Sequence, residues 1–293
     1  MVDNQTALVT GASSGIGRAT AVLLAERGYR LVLLARGRSS LEAAAADCRA
    51  AGAPEVTVEA CDVNDRDGVA QVVQRTVQRT GSLDVVVHSA TVMAYGTIEE
   101  LPAEVFDKVV ETAVHGTANV ARPVLAQFRR QQRGDLVVVS SLLASITAPT
   151  MGAYATAKWG QLGLVRTLQQ ETVGDRDIHV SAVAPGGVNT PIYYQAATVL
   201  GNTGHPPPPV YSPRRVGRAV LAVLDDPRRL KQSGIANPLI IAGFRLLPPV
   251  YDRLVGPLLR VFGMSRDRVP PTDGNVFAPV EEKNAPKGPW FDI

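Results

Sequence analysis

The sequence contains few of the residues that cross-link a fold or concentrate charge. Only two cysteines occur among 293 residues, Cys48 and Cys61, and they match neither a disulfide framework nor a metal-ligand spacing. Aromatic residues make up 5% of the chain, and no run of five like charges occurs. The net charge is +3, from 30 Lys and Arg against 27 Asp and Glu. This composition argues against a disulfide-rich secreted scaffold and does not indicate nucleic-acid binding.

Long apolar runs are also missing. The longest uncharged run in the apolar C-terminal region, Ser233 to Phe244, is too short to span a bilayer. The N-terminal residues MVDNQTALVT carry Asp3 and lead directly into a strand pattern, without the basic and apolar regions of a signal peptide. We therefore expect a cytoplasmic protein with no transmembrane segment. Apolar residues at 45% and charged residues at 19% predict a globular fold.

Strand and helix patterns alternate along the chain. Short apolar runs predict strands, and apolar residues at helical spacing predict helices between them. The strands are predicted at 6–10, 30–35, 55–60, 83–90, 135–140 and 178–184, and the helices at 15–27, 40–51, 66–79, 103–131 and 153–173. Apolar strands joined by helices form a parallel sheet covered on both faces. The expected fold is α/β, a single Rossmann-like domain with a doubly wound parallel sheet and a C-terminal extension.

A glycine-rich stretch, TGASSGIGRAT, joins the first strand to the first helix. Gly11, Gly15 and Gly17 permit a close approach of backbone to a pyrophosphate, and the helix start offers free N–H groups and a positive dipole end. Three residues separate Gly11 from Gly15, so the spacing differs from G-x-G-x-x-G. The stretch predicts a dinucleotide site, and the alternative is a tight turn without a ligand.

The residues after the second and third strands indicate which dinucleotide binds. No Asp or Glu occurs from Tyr29 to Ser40, where an acid would bind the ribose 2′-hydroxyl of NAD. Arg36 can instead bind a 2′-phosphate, which favours NADP over NAD; the alternative is an exposed arginine. After the third strand, Asp62 can accept a hydrogen bond from the adenine amino group, with Val63 beside the ring. Asp62 can also cap the helix that follows.

A possible proton-transfer set follows the fifth strand. Tyr154 and Lys158, in YATAK, lie four residues apart and therefore on one helix face. A neighbouring cation favours the phenolate form of a tyrosine. Ser141 ends the fifth strand, where its hydroxyl can orient a substrate carbonyl. The alternative for Tyr154 and Lys158 is an ordinary surface pair.

Taken together, these motifs resemble those of the short-chain dehydrogenase/reductase family. TGASSGIG, CDV, Ser141, YATAK and PGGVNT occur in the family's order across residues 5 to about 195. The resemblance implies an NAD(P)-dependent oxidoreductase that acts on a carbonyl or alcohol of a small, fairly apolar molecule. The residues implied to bind the cofactor are Gly11, Ser13, Ser14, Gly15, Ile16, Gly17, Arg36, Asp62, Val63, Ala90, Tyr154, Lys158, Pro185, Gly186, Val188 and Thr190.

The resemblance also implies roles and an assembly. Ser141 holds the carbonyl oxygen, Tyr154 acts as general acid in reduction and as base in oxidation, and Lys158 tunes Tyr154 and holds the nicotinamide ribose. A homodimer or homotetramer is expected through the long helices 103–131 and 153–173.

Two departures from the family pattern bear on turnover. His88, Ser89, Ala90 and Thr91 stand where relatives carry Asn-Asn-Ala-Gly, and Thr91 is expected to crowd the cofactor. Ala113 stands where many relatives place an Asn that holds a water behind the lysine. The expected replacements are Thr112, His88 and His115, although His88 is favoured as a structural histidine bonded to backbone. The hypothesis is turnover at reduced efficiency, which Ala113→Asn would raise. The alternatives are a dinucleotide-binding protein without redox turnover and a dehydratase or isomerase.

The C-terminal third departs from the nucleotide-binding pattern. We assign residues 1–230 to the catalytic unit, with a substrate loop at 188–215, and residues 231–293 to an apolar extension and polar tail packed on the same domain. After a helix at 213–225, an amphipathic helix is predicted from the repeat of Val250, Leu254, Leu258 and Val261. Packing onto the body is favoured for this helix; the alternatives are a pocket wall, an oligomer contact or a peripheral membrane contact. The last twenty-odd residues are expected to be loosely held.

Overall fold

The computed structural model describes residues 5–290 and is built around a seven-stranded parallel sheet. The strands are β1 (Thr6–Thr10), β2 (Arg30–Ala35), β3 (Val56–Ala60), β4 (Val85–His88), β5 (Gly134–Val139), β6 (Ile178–Pro185) and β7 (Leu230–Ser233). Their order is β3-β2-β1-β4-β5-β6-β7. The direction of winding reverses between β1 and β4, and in sheets of this kind ligands bind beyond the carboxyl ends of the strands at that point.

Helices cover both faces of this sheet. They are α1 (Gly15–Glu26), α2 (Arg38–Ala50), α3 (Arg66–Thr80), α4 (Ala103–Val110), α5 (Gly116–Gln131), α6 (Gly152–Glu171), α7 (Pro213–Asp225), α8 (Asn237–Leu246) and α9 (Pro248–Phe262). Buried residues of α1, α2 and α7 contribute to one core cluster, and those of α3, α5 and α6 contribute to a second. The predicted α/β fold in a single domain is confirmed.

The central strand β1 shows why the two cores form. All five of its residues are buried, with Ala7 and Val9 in one cluster and Leu8 in the other. Successive side chains of a strand point to opposite faces, so an uninterrupted apolar run supplies both cores at once. Each fully buried leucine stabilises the fold by roughly 1.5–3 kcal/mol.

Two elements differ from the predicted ones. Strand β7 has the polar sequence LKQS and lies at the sheet edge beside β6, so its residues carry little of the apolar pattern that marks a buried strand. The assigned boundary after residue 230 therefore falls inside the sheet. The predicted helix 103–131 is interrupted by a π-helical turn, Glu111–His115, which separates α4 from α5. Apolar spacing alone gives no signal for such a turn.

The glycine turn between β1 and α1 is packed too tightly for other residues. Gly11 and Gly15 have φ values of +65° and +51°. A Cβ atom on Gly11 would lie 2.8 Å from the backbone nitrogen of Ala90, and one on Gly17 would lie 2.2 Å from the carbonyl oxygen of Gly11. These glycines keep the turn thin and hold it against the loop that follows β4.

We predict opposite effects for one substitution at two helical glycines. Gly17→Ala should lower the free energy of unfolding by about 1–3 kcal/mol, because its Cβ overlaps a fixed carbonyl. Gly163→Ala should raise it by up to about 1 kcal/mol, because a Cβ there meets no atom within 4 Å. Urea unfolding followed by circular dichroism measures both. A stabilising Gly17→Ala would contradict the close packing.

Candidate active site

A large cavity runs along the carboxyl ends of the strands, with a volume of about 690 Å³. Loops after each of β1 to β6 contribute to its lining. The sequence-predicted residues that line it are Gly11, Ser13, Ser14, Gly15, Ile16, Arg36, Asp62, Val63, Ala90, Ser141, Tyr154, Lys158, Pro185, Gly186, Val188 and Thr190. Gly17 is buried behind the turn, against Gly11. One cavity therefore brings together the predicted cofactor and catalytic residues.

Ser141 and Tyr154 meet inside this cavity. Ser141 follows β5, and its Oγ accepts a hydrogen bond of 3.1 Å from the Leu143 amide at the start of a single helical turn. Tyr154 lies in the first turn of α6 and is buried. Burial and the nearby Tyr193 raise the pKa of Tyr154, while a hydrogen bond with Ser141 lowers it. The net shift is upward, so the Tyr154 phenol holds its proton at neutral pH.

Lys158 lies one turn further along α6 and is only 1% exposed. Its Nζ lies 5.7 Å from the centre of the Tyr154 ring and donates hydrogen bonds to the Val139 carbonyl at 3.3 Å and to Gln161 Oε1 at 3.0 Å. Burial lowers the pKa of Lys158 to about 7. The ammonium group therefore titrates near neutral pH, next to the phenol whose ionisation it can favour.

The side chain behind Lys158 is Gln161, which the sequence analysis missed. Gln161 is fully buried, and its Nε2 donates to Thr117 Oγ1 at 2.9 Å and to the Ala113 carbonyl at 3.4 Å. Ala113 stands where many relatives place an Asn that holds a water behind the lysine, and in this chain Gln161, from the next turn of α6, lies behind the lysine. The i, i+3 spacing from Lys158 is the signal that would have identified it.

None of the three expected replacements for the Asn forms a hydrogen bond with Lys158. Thr112 Oγ1 accepts a hydrogen bond of 3.2 Å from Asn64, and His115 is exposed. His88 Nδ1 lies 2.9 Å from Thr10 Oγ1. The prediction that His88 bonds to backbone is therefore wrong, because a threonine side chain is its partner. Burial, reinforced by the Lys158 charge, lowers the pKa of His88 to about 3, so its ring is neutral.

The loop after β4 is held by the same threonine. Thr10 Oγ1 accepts hydrogen bonds from the amides of Ser89 and Ala90 at 3.2 and 3.3 Å. Because these amides supply the donors, the Thr10 hydroxyl donates to His88. Thr91 has a negative φ, so the backbone here does not need the freedom of a glycine. The loop with the sequence HSAT, which stands in place of the family motif, is thus held by hydrogen bonds to Thr10.

At the opposite end of the cavity, Arg36 is half-buried against the C-terminal segment. Its guanidinium donates to the carbonyl of Val276 at 3.1 Å and to that of Asn275. Burial lowers the pKa of Arg36, although nearby Asp62 opposes the shift. Asp62 accepts a hydrogen bond from the Asn64 amide at 2.9 Å. The proposed helix cap at Asp62 is wrong, since Asp65 caps α3 instead.

The expectation of a loosely held tail is also wrong for the described residues up to 290; residues 291–293 lie outside the described part of the chain. Val276 is fully buried in an apolar cluster with Val92 and Leu101. Beyond it, the Ala285 carbonyl accepts a hydrogen bond of 3.0 Å from the Gly15 amide. These partners lie more than 170 residues away along the chain, so no local pattern in the tail reveals them.

Helices α8 and α9 and the residue between them form an apolar wall of the cavity. Leu247, Val250, Leu254 and Leu258 line the cavity and are each about half exposed. None of the 15 residues of α9, all described, is buried. The favoured packing of this helix onto the body is limited to a few contacts, such as that of Leu259 with the cluster around Tyr95 and the hydrogen bond from Tyr251 to the Thr147 carbonyl. Within residues 5–290, no helix is both long and apolar enough to cross a bilayer.

Comparisons with known proteins identify the family. The family model described as short chain dehydrogenase matches residues 5–198. The chain belongs to the short-chain dehydrogenase family. Curated relatives include the 3-oxoacyl-(acyl-carrier-protein) reductase FabG of Thermotoga maritima, which is 33% identical over 192 residues, 65% of this chain and 77% of that protein. The family match makes this chain an NAD(P)-dependent oxidoreductase.

Solved structures of related enzymes share the fold. An alcohol dehydrogenase from Thermococcus sibiricus, complexed with 5-hydroxy-NADP, has a TM-score of 0.67 and 30% identity, over 78% of this chain and 94% of that one. An NAD⁺-bound xylitol dehydrogenase has a TM-score of 0.61 and 32% identity, over 63% and 71% of the two chains. The family uses a nicotinamide dinucleotide, and these two relatives differ in which one they bind.

The buried lysine predicts a dependence of stability on pH. The unfolded chain keeps the Lys158 proton up to about pH 10, whereas the native protein loses it near pH 7, so the unfolding free energy should rise with pH across that interval. The slope from this group is at most about 1.4 kcal/mol per pH unit. Lys158→Met should remove this contribution, and Gln161→Leu should move its onset to lower pH. Urea unfolding at several pH values measures the difference; parallel wild-type and Lys158→Met curves would contradict it.

Proposed function

We propose that the protein is an NADP-preferring oxidoreductase that acts on a carbonyl or alcohol of a small, fairly apolar organic molecule. The observation that carries this proposal is the burial of Ser141, Tyr154 and Lys158 together, between a glycine turn and an apolar wall. The glycine turn fits a pyrophosphate, because its glycines have no side chains that would block the backbone. The turn also leads into the start of α1, where N–H groups attract an anion. The apolar wall fits a substrate with little charge.

The three side chains divide the proton chemistry. Ser141 is placed to donate a hydrogen bond to a substrate oxygen, and Tyr154 to protonate that oxygen in reduction or accept its proton in oxidation. The bound dinucleotide supplies or accepts the hydride. A phenolate formed at Tyr154 is stabilised by the Lys158 ammonium. Gln161 holds that ammonium in place from behind.

The NADP preference rests on the second strand end. Arg36 is the first cation after β2, and no acid occurs between residues 29 and 40. A guanidinium forms strong, charge-assisted hydrogen bonds to a phosphate. The NADP derivative in the Thermococcus sibiricus enzyme agrees with this preference, whereas the NAD⁺ in the xylitol dehydrogenase shows that the family does not require it.

The substrate end favours an apolar molecule. Met93, Ile146, Tyr193, Leu254 and Leu258 line the cavity around the catalytic side chains. We propose that residues 231–262 serve as part of the substrate wall. The homodimer or homotetramer, the cytoplasmic location and a peripheral membrane contact stay predictions from the sequence.

A second candidate is a dinucleotide-binding protein with little redox turnover. The tail favours it, because Arg36 and the Gly15 amide are already hydrogen-bonded to tail carbonyls. The buried Ser141, Tyr154 and Lys158 oppose it, since a protein that only binds has no use for a proton donor beside a buried cation.

Turnover of NADPH with a panel of apolar ketones tests the redox proposal. Tyr154→Phe should reduce kcat at least about 100-fold, because the proton donor is lost while the ring is kept. The matched control is Tyr29→Phe, which removes a buried hydroxyl from the core cluster of the α1 and α2 layer and should leave kcat unchanged. Absorbance of the reduced cofactor provides the measurement. Tight NADPH binding without oxidation by any ketone would favour the second candidate.

The cofactor preference is tested by Arg36→Ala. The affinity for NADPH should fall about tenfold or more, while that for NADH stays within about twofold, because the 2′-phosphate loses its partner and NADH carries no such phosphate. Arg49→Ala, at the far end of α2, is the control for a general change in charge. Fluorescence titration of the wild type and both variants measures the six dissociation constants. An unchanged NADPH to NADH ratio would reject Arg36 as the phosphate ligand.

A further inference from the structure

The C-terminal residues 275–290, hereafter the tail segment, cross the end of the cavity where Arg36 lies. Asn275, Pro279, Val280 and Asn284 are part of the cavity lining. Near its start, the segment is anchored by the buried side chain of Val276. It is fixed on the other side by Trp290, whose ring packs against Tyr193, Tyr194 and His205 at centroid distances of 5.4 to 5.6 Å.

Glu281 is the charged group that this segment brings to the start of α2. Its Oε2 accepts hydrogen bonds from the Ser40 amide at 2.9 Å, from Ser39 Oγ at 2.6 Å and from Ser40 Oγ at 3.1 Å. Asn284 donates to Ser40 Oγ at 3.0 Å from the same side. Hydrogen bonds from Ser39 and Ser40 lower the pKa of Glu281, so the carboxylate is ionised at neutral pH.

The carboxylate lies directly beside the residue that follows Arg36. A Cβ atom on Gly37 would lie 2.5 Å from the Glu281 carboxyl carbon, so the absence of a side chain at position 37 leaves the room for it. The first turn of α2 presents free N–H groups and a positive dipole end, which attract an anion. A carboxylate from a remote part of the chain thus occupies the anion site next to Arg36.

This position matters for the choice of dinucleotide. In dinucleotide-binding folds, an acid after the second strand accepts a hydrogen bond from the ribose 2′-hydroxyl of NAD, and an arginine there accommodates the 2′-phosphate of NADP. The stretch from Tyr29 to Ser40 has the arginine and lacks the acid. Through the tertiary fold, Glu281 brings a carboxylate to the start of α2, two to four residues after Arg36, and the tail carbonyls of Asn275 and Val276 accept hydrogen bonds from Arg36.

We propose that Glu281 is a specificity-determining residue that sets the balance between NADP and NAD. With the tail segment docked, its carboxylate repels a 2′-phosphate and accepts a hydrogen bond from a 2′-hydroxyl. With Glu281 displaced, the amides at the start of α2 are free to bind the phosphate beside Arg36. The proposal rests on the dinucleotide site of the proposed function and adds a second, opposing determinant to Arg36.

The direct test is Glu281→Gln, which removes the charge and keeps the size. The dissociation constant for NADPH should fall about tenfold, while that for NADH changes by less than about twofold. The matched control is Glu282→Gln, because Glu282 is exposed in the same helical turn and should leave both constants unchanged. In the double variant Arg36→Ala and Glu281→Gln, the gain for NADPH should be lost.

A shortened chain that ends at Val276 provides a second measurement. It keeps the buried Val276 but removes the contacts of Glu281 with the start of α2 and of Ala285 with the Gly15 amide. NADPH and NADH should therefore both bind more tightly. The gain should be larger for NADPH, because the carboxylate that repels its 2′-phosphate is also lost. An NADPH to NADH ratio that is the same in wild type, Glu281→Gln and the shortened chain would overturn the role of Glu281. If instead none of these proteins binds either dinucleotide, the proposed function itself fails.

Discussion

A lysine buried among strand ends is the constraint on which the site depends. The Lys158 ammonium is almost fully withdrawn from water, which disfavours its charge, and within residues 5–290 its hydrogen-bond acceptors are the Val139 carbonyl and Gln161. Gln161 in turn needs partners for its own amide, which Thr117 and the Ala113 carbonyl provide. The π-helical turn between α4 and α5 carries that carbonyl. One buried charge therefore connects α6 with β5 and with the interrupted helix.

The two ends of the cavity are closed by different parts of the C-terminal third. Helices α8 and α9 cover the substrate end with leucine and valine side chains that stay half exposed. The tail segment covers the adenosine end with carbonyls and one carboxylate. An apolar wall discriminates weakly among apolar molecules, whereas charges beside a phosphate discriminate strongly. We therefore expect the cofactor end to be the more selective of the two.

The site could be predicted from the sequence wherever a residue acts through its local surroundings. Gly11, Gly15 and Gly17 mark a turn, and YATAK places two side chains on one helix face, because these patterns depend on neighbours a few residues away. Gln161 lies three residues from Lys158 and was within reach of the same reasoning. His88 was misassigned because its partner, Thr10, is 78 residues away. The tail was misjudged because polar, proline-containing residues are typical of loose ends unless tertiary contacts hold them.

By itself, the sequence determined the alternation of strands and helices, and with it the parallel sheet, since apolar periodicity is a local property that burial on both faces requires. It also determined the order in which the glycine turn, Ser141 and YATAK follow the strands. The tertiary structure decided what each of these groups faces. It placed an amide behind the buried lysine, and it brought a glutamate from residue 281 to the end of a strand whose own loop has no acid. The physical reason is that hydrogen bonds and charges act across space, between residues whose separation along the chain leaves no pattern to read.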